Sequence, residues 1–317
     1  MSDKLLISVC MITFNHAPFI AQAIEGVLSQ QTSFEVELVI GEDFSSDETR
    51  QICEDYQSKH PKQIKLLETR GNLGMMPNFI RTLKSCRGRY IALCEGDDFW
   101  TDSSKLQKQV DFLEANADFA ISFHNVEIKY EDNTRKNVAG NVDQKAVSVF
   151  EDLALRNFIH TASCVFRNHN SDFPAWFVKM HVGDWTLHLI NAEHGKIGYI
   201  NEVMAVYRIH QGGVWASKKH QETLLKWIPI VEQCRQHFYP RGNDEFNSQL
   251  VHNHSELCFN CFDSKNYEQY RKSYHFCLKH AGLLSRRTMF ALTTRYLMTY
   301  FPPLAIYYNK QIGKNVG

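Results

Sequence analysis

The chain has 317 residues, 44% apolar and 22% charged, and its 35 Lys and Arg balance 35 Asp and Glu. That length can bury a sizeable core in one large domain, or in one domain with an extension, and zero net charge argues against a general nucleic-acid binder. Sixteen Gly and eight Pro are too few for a fibrous or low-complexity chain.

The first six residues lack the apolar stretch of a secretory signal. No apolar run approaches the roughly 18 residues a spanning helix needs. The nine cysteines are odd in number and scattered. They read as reduced thiols in a cytoplasmic protein. His252, His254, Cys258 and Cys261 include a Cys-x-x-Cys that can grip zinc. Leu250, Val251, Leu257, Phe259 and Phe262 crowd that stretch, however, so it reads as a core helix.

Strand and helix signals alternate along the first 130 residues. The apolar run 5–13 predicts a buried parallel strand. Asn15 then offers a helix cap with Pro18 behind it, and Phe19, Ile20, Ala23, Ile24, Val27 and Leu28 recur at helical spacing. Residues 35–41 predict a second strand. Ser45-x-x-Glu48 reads as a capping box opening a helix to Tyr56. Strands follow at 64–67 and 89–94, with a Gly-containing loop and a helix at 77–86 between them. A helix is expected at 104–115. Residues 131–145 read as a loop or hairpin, 160–167 and 197–209 as strands around a helix at 184–193, and the chain from 216 onward as helical. The order predicts an α/β layer fold with a mostly parallel sheet flanked by helices, and a helical C-terminal extension.

Ligands of such sheets bind beyond the carboxyl ends of the strands. The polar clusters fall there: Thr13-Phe-Asn15, Glu42-Asp43, Arg70 to Gly74, and Glu95-Gly-Asp97-Asp98. The Gly-rich dinucleotide and P-loop phosphate motifs are both missing. Glu95 to Asp98 suits a hard divalent cation, and suits equally a solvated turn capping the next helix.

Val9-Cys-Met-Ile-Thr-Phe-Asn15, Val39-Ile-Gly-Glu-Asp43-x-Ser-x-Asp47-x-Thr49, Gly71-Asn72-x-Gly74 and Glu95-Gly-Asp-Asp98, in this order, resemble the family 2 glycosyltransferases. The resemblance is dense over 5–115, thinner over 180–215 and ends near 220. It implies an inverting, metal-dependent enzyme of GT-A fold that uses a nucleotide-sugar donor, a UDP-sugar foremost. By the same resemblance Thr13, Asn15 and Asp43 hold base and ribose, Arg70 contacts base or phosphate, Asp97 sits on the donor side, and Asp98 ligates Mn2+ or Mg2+. Glu42 and Glu95 stand where Asp is commoner. Asp184 falls at the place of the general base, preceded by Gly183 where the family often has a second acid; a plain helix N-cap is the alternative. His210 completes the metal site in some members, and imidazole suits Mn2+. Arg208 reads as a structural strand-end residue. Gly212-Gly213 with Trp215, Lys218 and Lys219 forms either a lid or a linker.

The expected partners are the donor and a saccharide or lipid-linked saccharide acceptor, with no nucleic acid and with a homo-oligomer left open. Residues 286–310 mix aromatic and basic side chains, which fits peripheral membrane contact on the inner face, a core helix or a dimer contact. The division expected is a GT-A catalytic domain over 1–215, with 1–115 binding the nucleotide sugar and 116–215 the acceptor, and a helical extension over 216–317. A sugar-phosphate nucleotidyltransferase would want a Gly-rich basic stretch after the first strand, which Thr13-Phe-Asn-His-Ala-Pro18 lacks. A non-catalytic nucleotide-sugar-binding protein would not need acids at both the donor and the base positions. Fold alone does not choose between these.

Overall fold

The continuous apolar runs of the N-terminal half become strands buried on both faces. The computed structural model describes residues 6–132, 135–141, 143–169, 173–213 and 220–300. The first stretch forms β1 (Leu6–Thr13), α1 (Ile20–Leu28), β2 (Glu35–Glu42), α2 (Thr49–Lys59), β3 (Ile64–Leu66), α3 (Met75–Ser85), β4 (Tyr90–Leu93), β5 (Phe99–Trp100) and α4 (Lys105–Ala115). Then come β6 (Phe119–Tyr130), β7 (Val138–Ala139), β8 (Val147–Ser148), α5 (Phe150–Leu155), β9 (Val165–Arg167), α6 (Asp184–Ala192) and β10 (Lys196–Ile209). Helices α7 (His220–Phe238), α8 (Asn243–Asp263), α9 (Tyr267–Lys279) and α10 (Arg286–Met298) follow.

One sheet takes the order β3-β2-β1-β4-β9-β6-β10-β5, with β7 on β6 and β8 on β10. Its long ladders are parallel: β1 with β2 and β4, β2 with β3, and β6 with β10. β9 runs antiparallel between β4 and β6 and joins the two parallel halves. Ile7, Val9 and Met11 of β1 are wholly buried and pack with Ile20, Ala23 and Ile24 of α1 in the main core.

β6 is the element that the sequence reading passed over. Its first eight residues are buried, yet Ser122, His124 and Asn125 interrupt the apolar pattern. Each has a partner: the Gln109 amide donates to Ser122 O at 3.0 Å, His124 Nδ1 lies 2.7 Å from Asn125 O, and the Asn125 amide donates to Asn141 O. The strand expected over 160–167 is shortened to β9, because Thr161–Ser163 form a 3₁₀ turn.

The chain divides into two compact units, Met1–Leu153 with Asn157–Gly213, and Ala154–Arg156 with Val214–Gly317. In the second, α8 buries Leu250, Val251, Leu257, Cys258, Cys261 and Phe262. His254 stacks on Phe276 at 4.2 Å. Residues 301–310 of the aromatic-basic stretch lie outside the described residues. Among the described residues no helix is long and apolar enough to cross a membrane.

A carboxylate ties three central strands together at the end of the sheet remote from the polar loops. Glu37 of β2 accepts from the Ser8 hydroxyl of β1 at 2.5 Å and from the Arg87 N–H, just before β4, at 2.9 Å. The Arg87 guanidinium reaches its other oxygen at 2.6 Å. Burial alone would raise the Glu37 pKa, but the Arg87 and Ser8 hydrogen bonds hold it below 4.5. A depressed carboxylate stabilises the fold above its unfolded pKa and loses that contribution as pH falls through the folded value. We expect Glu37→Ala to cost about 2 kcal/mol at neutral pH and to flatten the acid side of the stability profile below pH 4.5. Urea melts at neutral and acid pH check this; an equal loss at both would mean the group acts through packing.

Candidate active site

The loops after β1 and β2 are sewn to each other. Asn15 adopts a left-handed backbone, φ 56°. Its N–H donates to Ser45 Oγ at 2.9 Å and its side-chain oxygen accepts from the Ser46 N–H at 2.9 Å. His16 N–H donates to Thr49 Oγ1 at 2.8 Å, and Ala17 N–H to Asp47 Oδ2 at 3.1 Å. Asn15 is thus a tether and not the cap of α1. Nor does Ser45 form a capping box with Glu48: α2 starts without a side-chain cap, and Asp47 accepts from the Thr49 N–H at 3.0 Å in a local turn before it. Short polar side chains satisfy loop amides locally in this way.

Glu42 is fully buried and accepts from the Ser45 N–H at 2.6 Å. Asp43 takes the Leu73 and Gly74 N–H groups at 2.8 and 2.9 Å, one on each oxygen. It thereby fixes the Gly71–Gly74 loop at the start of α3, where Gly74 has φ 86°. Between these clamps Phe44 is pushed into φ 62° with its ring exposed. Arg70 is exposed on the loop after β3. Thr13 is buried beneath the acid turn, its hydroxyl unpartnered, and a Cβ on Gly96 would come within 2.5 Å of it. Only glycine allows that approach.

The acid turn splits its side chains. Asp97 Oδ2 lies 3.1 Å from His210 Nε2 and 3.7 Å from His16 Nε2. These residues offer ligand atoms all within 4.8 Å of one another. Asp97 Oδ1 and His16 Nδ1 are buried without a partner. Asp98 turns the other way: Oδ1 accepts from the Arg208 N–H at 2.9 Å, while Oδ2 has no partner. Arg208 in turn donates to Asp97 O at 2.6 Å, to Glu131 at 2.9 Å and to Gln22, and lies over the Phe99 ring at 4.3 Å. It is a structural pin between β10 and the acid turn.

The electrostatics differ at each group. Burial lowers the His16 pKa, leaving a neutral imidazole with a free lone pair. Burial would raise Asp97, but the His210 hydrogen bond and the nearby His16 keep it below the ordinary carboxylate value. Burial and Asp97 push Asp98 upward. Burial, Asp97 and Asp184 lift Glu95 to about 8, so it carries a proton at neutral pH.

Asp184 opens α6 and is near enough to Glu95 to help raise the pKa of that acid. Burial raises its pKa, against hydrogen bonds from the Trp185 N–H, Thr161 and Asn157. The Thr161 hydroxyl is 3.3 Å away. Gly183 has a packing reason, since a Cβ there would meet Phe79 at 2.7 Å and Met76 at 2.9 Å. Tyr207 lies within electrostatic range of Glu95, Asp97, Asp98 and Asp184, with its ring 5.4 Å from that of His160.

Of the residues expected in the site, Asp97 and His210 meet directly and Thr13 underlies the turn. Asp184 approaches from a separate helix. Asn15 and Asp43 organise loops. His16, His160 and Tyr207 were not foreseen; the signal for His16 was its place directly after Asn15. Trp215, Lys218 and Lys219 lie outside the described residues.

A sequence model described as Glycosyl transferase family 2 matches residues 8–172. An uncharacterised protein of Mycobacterium tuberculosis is 37% identical over 212 residues, covering 66% of this chain and 60% of that one. The chain therefore spans 60% of the length of this mycobacterial relative. TuaG of Bacillus subtilis, provisionally named a teichuronic acid biosynthesis glycosyltransferase, is 27% identical over 74% of this chain and 91% of its own. Among solved structures, S. aureus TarS 1-349 in complex with UDP-GlcNAc superposes with TM-score 0.64 at 15% identity, covering 93% of this chain and 89% of that one. The mannosyltransferase PcManGT from Pyrobaculum calidifontis, in complex with GDP-Man and Mn2+, gives TM-score 0.56 at 14% identity, over 98% and 84%. At these identities the structures establish a shared fold.

The strain at Phe44 is testable. A bulky residue in the left-handed region costs about 1–2 kcal/mol, partly offset in a glycine variant by chain entropy. Phe44→Gly should raise stability by about 1 kcal/mol, seen as a higher melting temperature. A lower one would show that the Phe44 ring contributes packing that outweighs the strain.

Proposed function

The chain belongs to glycosyl transferase family 2, and from that premise we propose that it transfers a sugar from a nucleotide-diphosphate sugar, a UDP-sugar, to a saccharide or lipid-linked saccharide acceptor with inversion, in polysaccharide biosynthesis on the cytoplasmic side of a membrane. The observation that supports this reading is the Asp97–His210–His16 cluster at the acid turn, with the buried carboxylate of Asp184 near enough to affect Glu95 in the same turn. A base and a leaving-group site on separate elements are what single displacement requires.

The unpartnered Asp97 oxygen and the neutral His16 fit a divalent ion, and two imidazoles favour Mn2+ over Mg2+. Asp97, His210 and His16 would hold it, with the free Oδ2 of Asp98 as the competing carboxylate. When bound, the ion supplies a Lewis acid for the diphosphate leaving group. Support for this pairing comes from PcManGT, whose structure contains GDP-Man and Mn2+, and support for a UDP-sugar from TarS with UDP-GlcNAc.

The chain's own residues do the rest. Asp184 accepts the proton of the acceptor hydroxyl as that oxygen attacks the anomeric carbon. Its raised pKa brings it nearer the working pH, which favours proton acceptance. Thr13, Asn15, Asp43 and Arg70 serve the nucleotide side, Asn15 and Asp43 by holding the loops that receive it. Tyr207 and His160 face the acceptor. The catalytic domain is taken as 1–215, with the nucleotide sugar in its first half and the acceptor in its second.

Two experiments test this. Asp184→Asn should lower nucleotide release from UDP- and GDP-sugars by at least about 100-fold, while calorimetry shows donor affinity within a few-fold. Since Asn caps a helix as well as Asp, near-normal turnover would remove Asp184 from the mechanism. Separately, His16→Ala, His210→Ala and Asp97→Asn should each weaken Mn2+ binding, read from the spin resonance of free ion, by about tenfold or more. Asp98→Asn should leave it unchanged; the reverse pattern would assign the ion to Asp98.

A further inference from the structure

A surface helix in water turns its apolar side inward and its polar side outward. The inner side of α10 is settled by its contacts. Leu292 is wholly buried, and its carbonyl accepts from the Tyr270 hydroxyl at 2.7 Å. Tyr296 stacks on Tyr274 at 4.2 Å, and Arg295 lies over the Phe259 ring at 4.9 Å.

The outer side is not polar. Phe290 is 75% exposed and Leu297 61%. They are seven residues apart and so share one helix face. Leu283, 49% exposed, lies in the 3₁₀ turn before the helix, and Tyr300, 55% exposed, follows the helix with its hydroxyl 2.9 Å from that of Tyr296. Arg286 and Arg287 are exposed one turn before Phe290. The sequence from 281 onward carries charge of one sign. Residues 281–317 contain Arg286, Arg287, Arg295, Lys310 and Lys314 and no Asp or Glu, in a chain whose formal charge is zero.

We propose that this face of α10 docks on a membrane surface rich in anionic phospholipid. Phe290 and Leu297 enter the boundary between headgroups and acyl chains. Arg286 and Arg287 pair with headgroup phosphates. The charge pattern favours this occupant. A second copy packed on this face would bring only further cations, with no carboxylate on either helix to answer them. A stripe one side chain wide is also far from the roughly 800 Å² per partner that a stable interface buries. The chain's own residues 301–317 bring Lys310 and Lys314 and no acid. A phosphate-bearing surface supplies both the apolar layer and the counter-charge.

The test uses the full chain and needs no substrate, so it stands or fails apart from the proposed transferase activity. The protein is floated with vesicles rich in phosphatidylglycerol and with vesicles of phosphatidylcholine alone. It should bind the first and not the second, and about 1 M salt, where the screening length is about 3 Å, should release it. Phe290→Ser with Leu297→Ser should reduce binding about tenfold or more, and so should Arg286→Glu with Arg287→Glu, with melting temperatures unchanged because all four side chains are exposed. No binding of the unaltered chain to phosphatidylglycerol vesicles would overturn the proposal. So would full binding by both variants, or a concentration-dependent dimer in light scattering that the Phe290 and Leu297 changes abolish.

Discussion

Glu95, Asp97 and Asp98 fall within one turn, Asp98 buried and the other two half-buried. Three such carboxylates cannot all remain charged without compensation. The fold answers each differently. Asp98 accepts the Arg208 N–H, Asp97 lies between His210 and His16, and Glu95 keeps its proton. Of the three only Asp97 is held below the ordinary carboxylate value, and it is the acid with an unpartnered oxygen beside two imidazoles. The negative charge is thereby concentrated where a cation can use it.

That division depends on Arg208. Its backbone N–H donates to Asp98, its guanidinium holds the carbonyl of Asp97, and the Phe19 and Phe99 rings lie 5.1 and 4.3 Å from it. The residue links β10, α1 and the acid turn, so the position of His210, two residues further along, follows from it. The loops after β1 and β2 are fixed by the same economy. Asn15, Asp43 and Asp47 spend their side-chain oxygens on backbone N–H groups, leaving little of the donor-side scaffold to be ordered when a ligand arrives.

Much of this was legible in the sequence because it rests on local pattern. The strands β1, β2 and β4 are apolar runs, and α3 and α4 show helical spacing with turn residues at their ends. The α/β order placed the functional groups at the strand ends before any geometry was known. What stayed hidden depends on direction and distance. β6 carries buried polar residues whose partners lie far away in sequence, Gln109 and Asn141 among them, so its alternation is masked. Neighbouring residues in a turn point to opposite sides, and no spacing rule tells that Asp97 faces His210 while Asp98 faces Arg208. Ser45 and Glu48 have the spacing of a capping box, yet a long-range partner, Asn15, claims the serine. The glycine before Asp184 looked like a lost acid; Phe79 and Met76 show that no side chain fits there.

Asp184 shows how the same packing tunes chemistry. Its place at the start of α6 puts it where the helix dipole and free N–H groups favour a carboxylate. Burial pushes the other way and prevails, so the pKa rises but the Trp185 N–H, Thr161 and Asn157 limit how far. The proposed base must be ionised before the reaction and able to take a proton during it, and an environment that only stabilised the anion would fail the second requirement. At Gly183 the start of α6 lies against Phe79 and Met76 of α3, and a second acid there would need room that the Phe79 ring occupies.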